Sequence, residues 1–237
     1  MFYFRAIFQL AVAVITFGSA TSFVPIYGRI PLLCSHRPVQ TKLAATGRDN
    51  IPDMSNVGCV LLAGGTGSRM KANMPKQFLT LRGKPVLHHS IDLFLEKLPN
   101  FLKENSEGSP PMVVLVMDPM YQPEYQHFID KYKGRMSFAN PGKERQGSVE
   151  NGLNKLIELS GETCEYVAVH DSARPLVTIQ EVCNVVTDAK QVGAAVLGVP
   201  CKATIKESED GVLVQRTIPR SRLWEVHTPQ GEMLTMF

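Results

Sequence analysis

The sequence predicts an α/β domain: a Rossmann-like, mainly parallel sheet with helices on both faces and a projecting β-hairpin dimerisation arm. Three observations predict it. From residue 57 onward, short apolar runs alternate with amphipathic stretches. A glycine-rich loop follows the first apolar run without a break. Late in the chain, Asp210-Gly211 lies between two strand-like runs, a strong hairpin signal.

The elements follow in order. Residues 57–63 read as a buried strand. Leu87, Ile91, Phe94, Leu95 and Leu98 keep the i, i+4, i+7, i+8 spacing of a helix face. Residues 112–117 form a second strand after a polar linker at 103–111, and residues 136–139 a shorter third. Val149, Leu153, Leu156 and Ile157 mark the next helix, and residues 166–170 a strand ending at Asp171. Ile179, Val182, Val185, Val186 and Ala189 again keep helical spacing, before a strand at 194–199. The runs at 203–207 and 212–217 then form the hairpin. Its edges need a cover, and a second subunit is a natural one. Internal repeats and low-complexity tracts are absent from this body.

The first 55 residues read as a presequence on a nucleotide-handling body at 56–237, with the arm at about 201–222. Arg5 precedes an apolar stretch at 7–17, too short for the roughly 20 residues of a membrane span. Ala20 and Ser22 offer a cleavage point before Phe23, and a basic, hydroxyl-bearing run follows with no acid before Asp49. This is the pattern of a signal plus transit peptide to a plastid, and Ser22-Phe23-Val24-Pro25 resembles the phenylalanine-marked signal of algae with secondary plastids. A secretory signal or an uncleaved anchor are the alternatives. The net charge of +3 belongs to this segment: of 25 basic and 22 acidic residues, five and two fall within 1–55, leaving twenty of each. A neutral body carries no nucleic-acid or membrane footprint. Cys34 falls in the presequence, and Cys59, Cys164, Cys183 and Cys201 form no CxxC pair or zinc spacing with His. Cys59 and Cys201 are expected to be core thiols.

The sharpest motif is Leu62-Ala63-Gly64-Gly65-Thr66-Gly67-Ser68-Arg69-Met70, followed by Pro75-Lys76-Gln77-Phe78. Glycines let backbone N–H groups reach phosphate oxygens without a Cβ clash. Arg69 and Lys76 bring fixed positive charge to where pyrophosphate departs. A dinucleotide fingerprint would need glycine in place of Met70, and Gly83-Lys84 is followed by Pro85 rather than the P-loop hydroxyl residue.

Two further motifs follow strands. Pro141-Gly142-Lys143-Glu144-Arg145-Gln146-Gly147-Ser148 opens a helix whose free N–H groups suit a triphosphate or a base edge. Taken alone, Ser148 could equally be a plain first-turn residue and Arg145 a surface charge. His170-Asp171-Ser172-Ala173-Arg174-Pro175 stands at the carboxyl end of a buried strand, where ligands bind in open α/β sheets. Asp171 could hold Mg²⁺ with phosphate oxygens, or could pair with Arg174 merely to order the turn. His170 reads as a packed strand-end residue rather than a catalyst.

Together the three motifs resemble the 2-C-methyl-D-erythritol 4-phosphate cytidylyltransferases of the non-mevalonate isoprenoid pathway, over residues 57–230. The segments 138–146, 170–177 and 192–207 are similar to plant plastid members. The resemblance implies that Ala63, Gly64, Gly65, Gly142, Arg145 and Ser148 line a CTP site. It implies that Arg69, Lys76 and Arg220 are the catalytic cations, and that Asp171, Arg174, Thr204 and Thr228 bind the sugar-alcohol phosphate, with Asp171 at a divalent metal. It further implies a homodimer in which the arm reaches the second subunit. The sequence departs from the family at Pro219, where Asp is usual. The family pattern also continues beyond Phe237 with a lysine-bearing strand, so a C-terminally incomplete domain is expected. A ribitol-5-phosphate cytidylyltransferase, which shares the first and third motifs, is the nearest alternative, and a nucleotide-binding or dimerising fragment without turnover is another.

Overall fold

The computed structural model describes residues 40–44, 51–65, 74–105 and 109–234. Of the targeting presequence read in residues 1–55, all but 40–44 and 51–55 lies outside them.

The main sheet has seven strands in the order β1 (Gln40–Ala44), β8 (Gly193–Pro200), β11 (Trp224–Met233), β7 (Tyr166–Asp171), β2 (Val57–Leu62), β5 (Met112–Val116) and β6 (Met136–Ala139). All neighbours run parallel except β11, which is antiparallel to both β7 and β8. The small pairs β3 (Thr80–Leu81) with β4 (Lys84–Pro85), and β9 (Lys206–Glu207) with β10 (Arg216–Thr217), stand apart from it. The α/β class and the parallel-dominant sheet expected from the sequence are therefore observed.

Alternation along β2 explains the layers. Cys59 and Leu61 face a core built with α1 (Val86–Asp92), a π-helical turn (Leu93–Lys97), α2 (Leu98–Asn105), α3 (Gln122–Lys131) and α5 (Ile179–Val192). Val60 and Leu62 face a second core against α4 (Arg145–Ser160), through Val149, Leu153 and Leu156. A strand buried on both faces reads as a continuous apolar run rather than an alternating one, and β2 is such a strand. Glycines set how closely α4 approaches. A Cβ on Gly152 would sit 2.6 Å from Val60 Cγ1, and one on Gly58 would sit 2.3 Å from Leu156 Cδ2. The close contact fixes the helix axis and thereby its amino end. Helix α5 starts with a reciprocal capping box between Thr178 and Glu181, which satisfies two otherwise unpaired amides.

Several expectations need correction. The linker expected at 103–111 begins later, because α2 continues to Asn105. Helix α3 falls in a stretch the sequence reading left unassigned, although Tyr125, Phe128 and Ile129 keep helical spacing and all pack on the core. Strand β11 was also not expected: Pro229 and Gly231 interrupt its pattern, and its polar residues hide a central position. Residues 40–44, placed in the presequence by the sequence reading, form edge strand β1, and Met54 is fully buried. Removing residues 1–55 would strip both from the fold. Cys59 is buried as expected, and burial pushes its thiol pKa up. Cys201 is not a core thiol: it is half-exposed at the root of the arm, its Sγ 3.6 Å from Ala203 O. The arm hairpin itself is present but shorter than its two apolar runs, because only two residues on each side pair. Asp210 turns its tip by accepting N–H groups of Val212 and Leu213 at 2.8 Å each.

Candidate functional site

The carboxyl ends of β2 and β7 and the amino end of α4 meet at one edge of the sheet. Ala63 leaves β2 with its N–H still bonded to Val116 O at 2.8 Å. At Gly64 a Cβ would stand 2.5 Å from Pro141 Cβ, so the glycine loop and the Pro141 turn are pressed together. At Gly142 a Cβ would lie 2.5 Å from the Gly147 carbonyl carbon, so this turn is in turn packed on the first turn of α4. Only glycine fits either place without displacing backbone or ring.

Side chains brace these turns from behind. Gln77, buried beside the loop, donates from Nε2 to Ala63 O at 2.6 Å and to Gly65 O at 3.0 Å. Both carbonyls are thereby turned toward Gln77 and away from the open side of the loop. Ser148 Oγ accepts from Gly142 N–H at 3.0 Å and donates to Glu144 O at 3.1 Å. Ser172 locks the third motif onto the first, its N–H and hydroxyl both donating to Leu62 O at 3.1 and 2.7 Å.

Charge collects around Asp171. Lys76 Nζ lies 3.1 Å from its Oδ2, Arg174 Nε 3.9 Å from the same oxygen, and Ala173 N–H donates to its Oδ1 at 3.1 Å. Burial alone would raise the Asp171 pKa, but the Ala173 amide, Lys76 and Arg145 outweigh it and hold the carboxyl below its ordinary value. Asp171 is thus an anion at neutral pH. The Arg145 guanidinium stands within electrostatic range of Asp171 and Arg174, and partial desolvation lowers its pKa although the residue as a whole is exposed. Beneath this cluster Thr228 and the fully buried His170 are bonded to each other. Beside it Arg174 Nη1 meets His227 Nδ1.

Of the residues expected from the sequence, Ala63, Gly64, Gly65, Lys76, Gly142, Arg145, Ser148, Asp171, Arg174 and Thr228 fall within this one region. Arg69 lies outside the described residues. Thr204 and Arg220 stand on the arm, where Arg220 Nη1 donates to Lys202 O at 3.1 Å. Among the described residues, no hydrogen bond or ion pair joins either to the Asp171 cluster. The sequence reading missed the structural work of Gln77 and the presence of His227. Both sit next to a residue it singled out, Lys76 and Thr228, and that adjacency was the available signal.

A metal ion would find one carboxylate here. Among the described residues no group of three or more His, Cys, Asp or Glu could hold a metal. Asp171 suits Mg²⁺, which commonly takes one or two carboxylates together with substrate phosphate oxygens. Among the described residues each of its oxygens has one hydrogen-bond donor, leaving a lone pair on each for a cation. No helix among the described residues is long and apolar enough to cross a membrane.

Residues 57–236 match the sequence model of a family described as 2-C-methyl-D-erythritol 4-phosphate cytidylyltransferase. The chain is 49% identical over 175 residues to a rice protein named 2-C-methyl-D-erythritol 4-phosphate cytidylyltransferase, chloroplastic. That match covers 74% of this chain but 54% of the rice protein, so the chain spans about half of that relative's length. A protein of the same name from Geobacillus thermodenitrificans is 38% identical over 183 residues, 76% of this chain and 73% of the relative. The fold is also that of the crystal structure of a 4-diphosphocytidyl-2C-methyl-D-erythritol synthase from Anaerococcus prevotii. The TM-score is 0.61 at 19% identity, over 76% of this chain and 72% of that one.

Proposed function

The chain belongs to the 2-C-methyl-D-erythritol 4-phosphate cytidylyltransferase family, and from that membership we propose that it joins CTP to 2-C-methyl-D-erythritol 4-phosphate with release of pyrophosphate. The observation that carries this reading is the Lys76–Asp171 contact, 3.1 Å long, which ties the glycine-loop motif to the third motif with Arg145 of the second beside it. Three motifs that are far apart in sequence thereby serve one polyanionic site.

The reaction brings two anions together, and the chain's residues answer that repulsion. The glycine-loop amides of Gly64 and Gly65, with the backbone at Ala63 lining the site, hold the triphosphate, which Lys76, and by motif position Arg69, neutralise. The amino end of α4, with Gly142 and Arg145, takes the cytidine side and a phosphate. An oxygen of the sugar phosphate attacks the α-phosphorus in line; the new P–O bond forms as the bond to the β-phosphate oxygen breaks, and pyrophosphate leaves with that electron pair. The nucleophile is already anionic at neutral pH, so no side chain has to remove a proton. Asp171 would hold Mg²⁺, which when bound supplies charge neutralisation between the phosphates. Arg174, near the same Asp171 oxygen as Lys76, offers its guanidinium to the sugar phosphate.

The arm completes the site in trans. Val212, Leu213 and Val214 are 81, 70 and 59% exposed, which is unusual for three successive aliphatic residues and suits a surface that a second subunit covers. Thr204 and Arg220 on the arm then bind the sugar phosphate of that subunit, and the protein acts as a homodimer. The chloroplastic rice relative and the basic, acid-poor segment before residue 49 support a plastid location.

Pyrophosphate release is to be followed with CTP, Mg²⁺ and either 2-C-methyl-D-erythritol 4-phosphate or ribitol 5-phosphate. Release with the methylerythritol acceptor supports the reading. A clear preference for ribitol 5-phosphate would overturn the substrate assignment.

A further inference from the structure

His170 takes no part in the proposed transfer, yet both of its ring nitrogens are committed. Nε2 lies 3.2 Å from the Arg174 carbonyl oxygen and Nδ1 lies 3.1 Å from Thr228 Oγ1. A carbonyl can only accept, so Nε2 carries the proton and Nδ1 is the acceptor. The Thr228 hydroxyl therefore donates to Nδ1. That same hydroxyl oxygen accepts the Asp171 N–H at 3.1 Å. The donors line up in one direction: from Asp171 N–H to Thr228, from Thr228 to His170, and from His170 to Arg174 O.

The two ends of this relay are the backbones of Asp171 and Arg174, the residues whose side chains form the charged cluster. We infer that His170 and Thr228 are positioning residues, a buried imidazole and a hydroxyl that together fix the Asp171–Arg174 turn from beneath. Three observations favour a dedicated brace over ordinary packing. His170 is fully buried and Thr228 nearly so, which makes an unmade bond in this relay expensive. Strand β11 shifts register between Val226 and Gln230, the stretch carrying Thr228, and such irregularities re-aim side chains. Only one tautomer of His170 satisfies both neighbours.

The Phe94 ring, 5.4 Å from the imidazole, closes the remaining side of the relay.

The test reads structure and kinetics separately. Long-range ¹H–¹⁵N spectra of the ¹⁵N-labelled chain, with His170→Gln to assign the signal, report tautomer and charge. The expected result is the Nε2–H tautomer, with Nδ1 accepting from Thr228. Thr228→Val should expose the Asp171 amide to hydrogen exchange, and Thr228→Ser should restore its protection. The kinetic expectation rests on the proposed function: Thr228→Val should raise the KM for the sugar phosphate about ten-fold, with the KM for CTP within about two-fold of the parent. An Nδ1–H tautomer, or an Asp171 amide equally protected in Thr228→Val, would overturn the inference. Absence of turnover in the parent chain would count against the proposed function instead, and the spectra would still decide the role of His170.

Discussion

Lys76 and Asp171 are ninety-five positions apart in sequence, and their side chains meet at 3.1 Å where the glycine loop faces the end of β7. The pair is partly exposed, so it contributes little to stability, about 1 kcal/mol or less. On the proposed function its meaning is positional: Asp171 holds Lys76 in place for the phosphates of an incoming ligand. Lys76→Ala and Asp171→Asn are expected to lower pyrophosphate release by about 10²-fold or more while leaving thermal denaturation nearly unmoved. A large fall in melting temperature with activity retained would show a structural pair instead.

The contact of Gly64 with Pro141 gives a sharper steric test. Gly64→Ala places a methyl carbon 2.5 Å from Pro141 Cβ and should force the two turns apart, weakening CTP binding by at least about ten-fold in a titration. Gly65→Ala meets nothing within 4 Å and should weaken it far less. Equal effects would separate the loop from the Pro141 turn and break the account of the site.

Much of this was legible in the sequence, and the parts that were not have physical causes. Strands β2, β5, β7 and β8 announce themselves because both faces are buried and apolar residues run on without alternation. The glycines of the first two motifs were read as room for phosphate. They also serve the protein itself, since Gly64 and Gly142 are places where two turns touch. Strand β11 escaped because a central strand carrying Pro229 violates the usual pattern, and its partners β7 and β8 were chosen by distant contacts no local window contains. The role of Gln77 was hidden for a similar reason: the carbonyls it binds lie 12 and 14 positions away.

Gln77→Leu should therefore cost stability as well as function. Among the described residues it removes the side-chain donor to the buried Ala63 carbonyl and the exposed Gly65 carbonyl, an expected loss of about 1–3 kcal/mol in urea unfolding. An unchanged midpoint would mean that the loop does not depend on this brace.

Glu232 predicts a pH dependence. It lies on β11 against Val167 and Ala194, and burial raises its pKa to about 7. A carboxyl whose folded pKa is raised binds more protons when folded, so its stability contribution is complete below its ordinary pKa and is lost as pH rises toward about 7. Glu232→Gln should flatten that slope and stabilise the protein at pH 8 by at most about 3 kcal/mol. A variant that unfolds with the parent's pH profile would place the slope elsewhere.

The central claim is that these three motifs transfer a cytidylyl group to a sugar phosphate rather than simply bind nucleotide. Phosphorus NMR of a reaction containing the chain, CTP, Mg²⁺ and 2-C-methyl-D-erythritol 4-phosphate tests it most directly, because it identifies the bond formed. The account predicts a pair of coupled diphosphate doublets joining the CTP α-phosphorus to the sugar phosphate, appearing together with pyrophosphate and absent with Lys76→Ala. Bound CTP that stays intact, or that yields CMP and pyrophosphate with the sugar phosphate untouched, would contradict it.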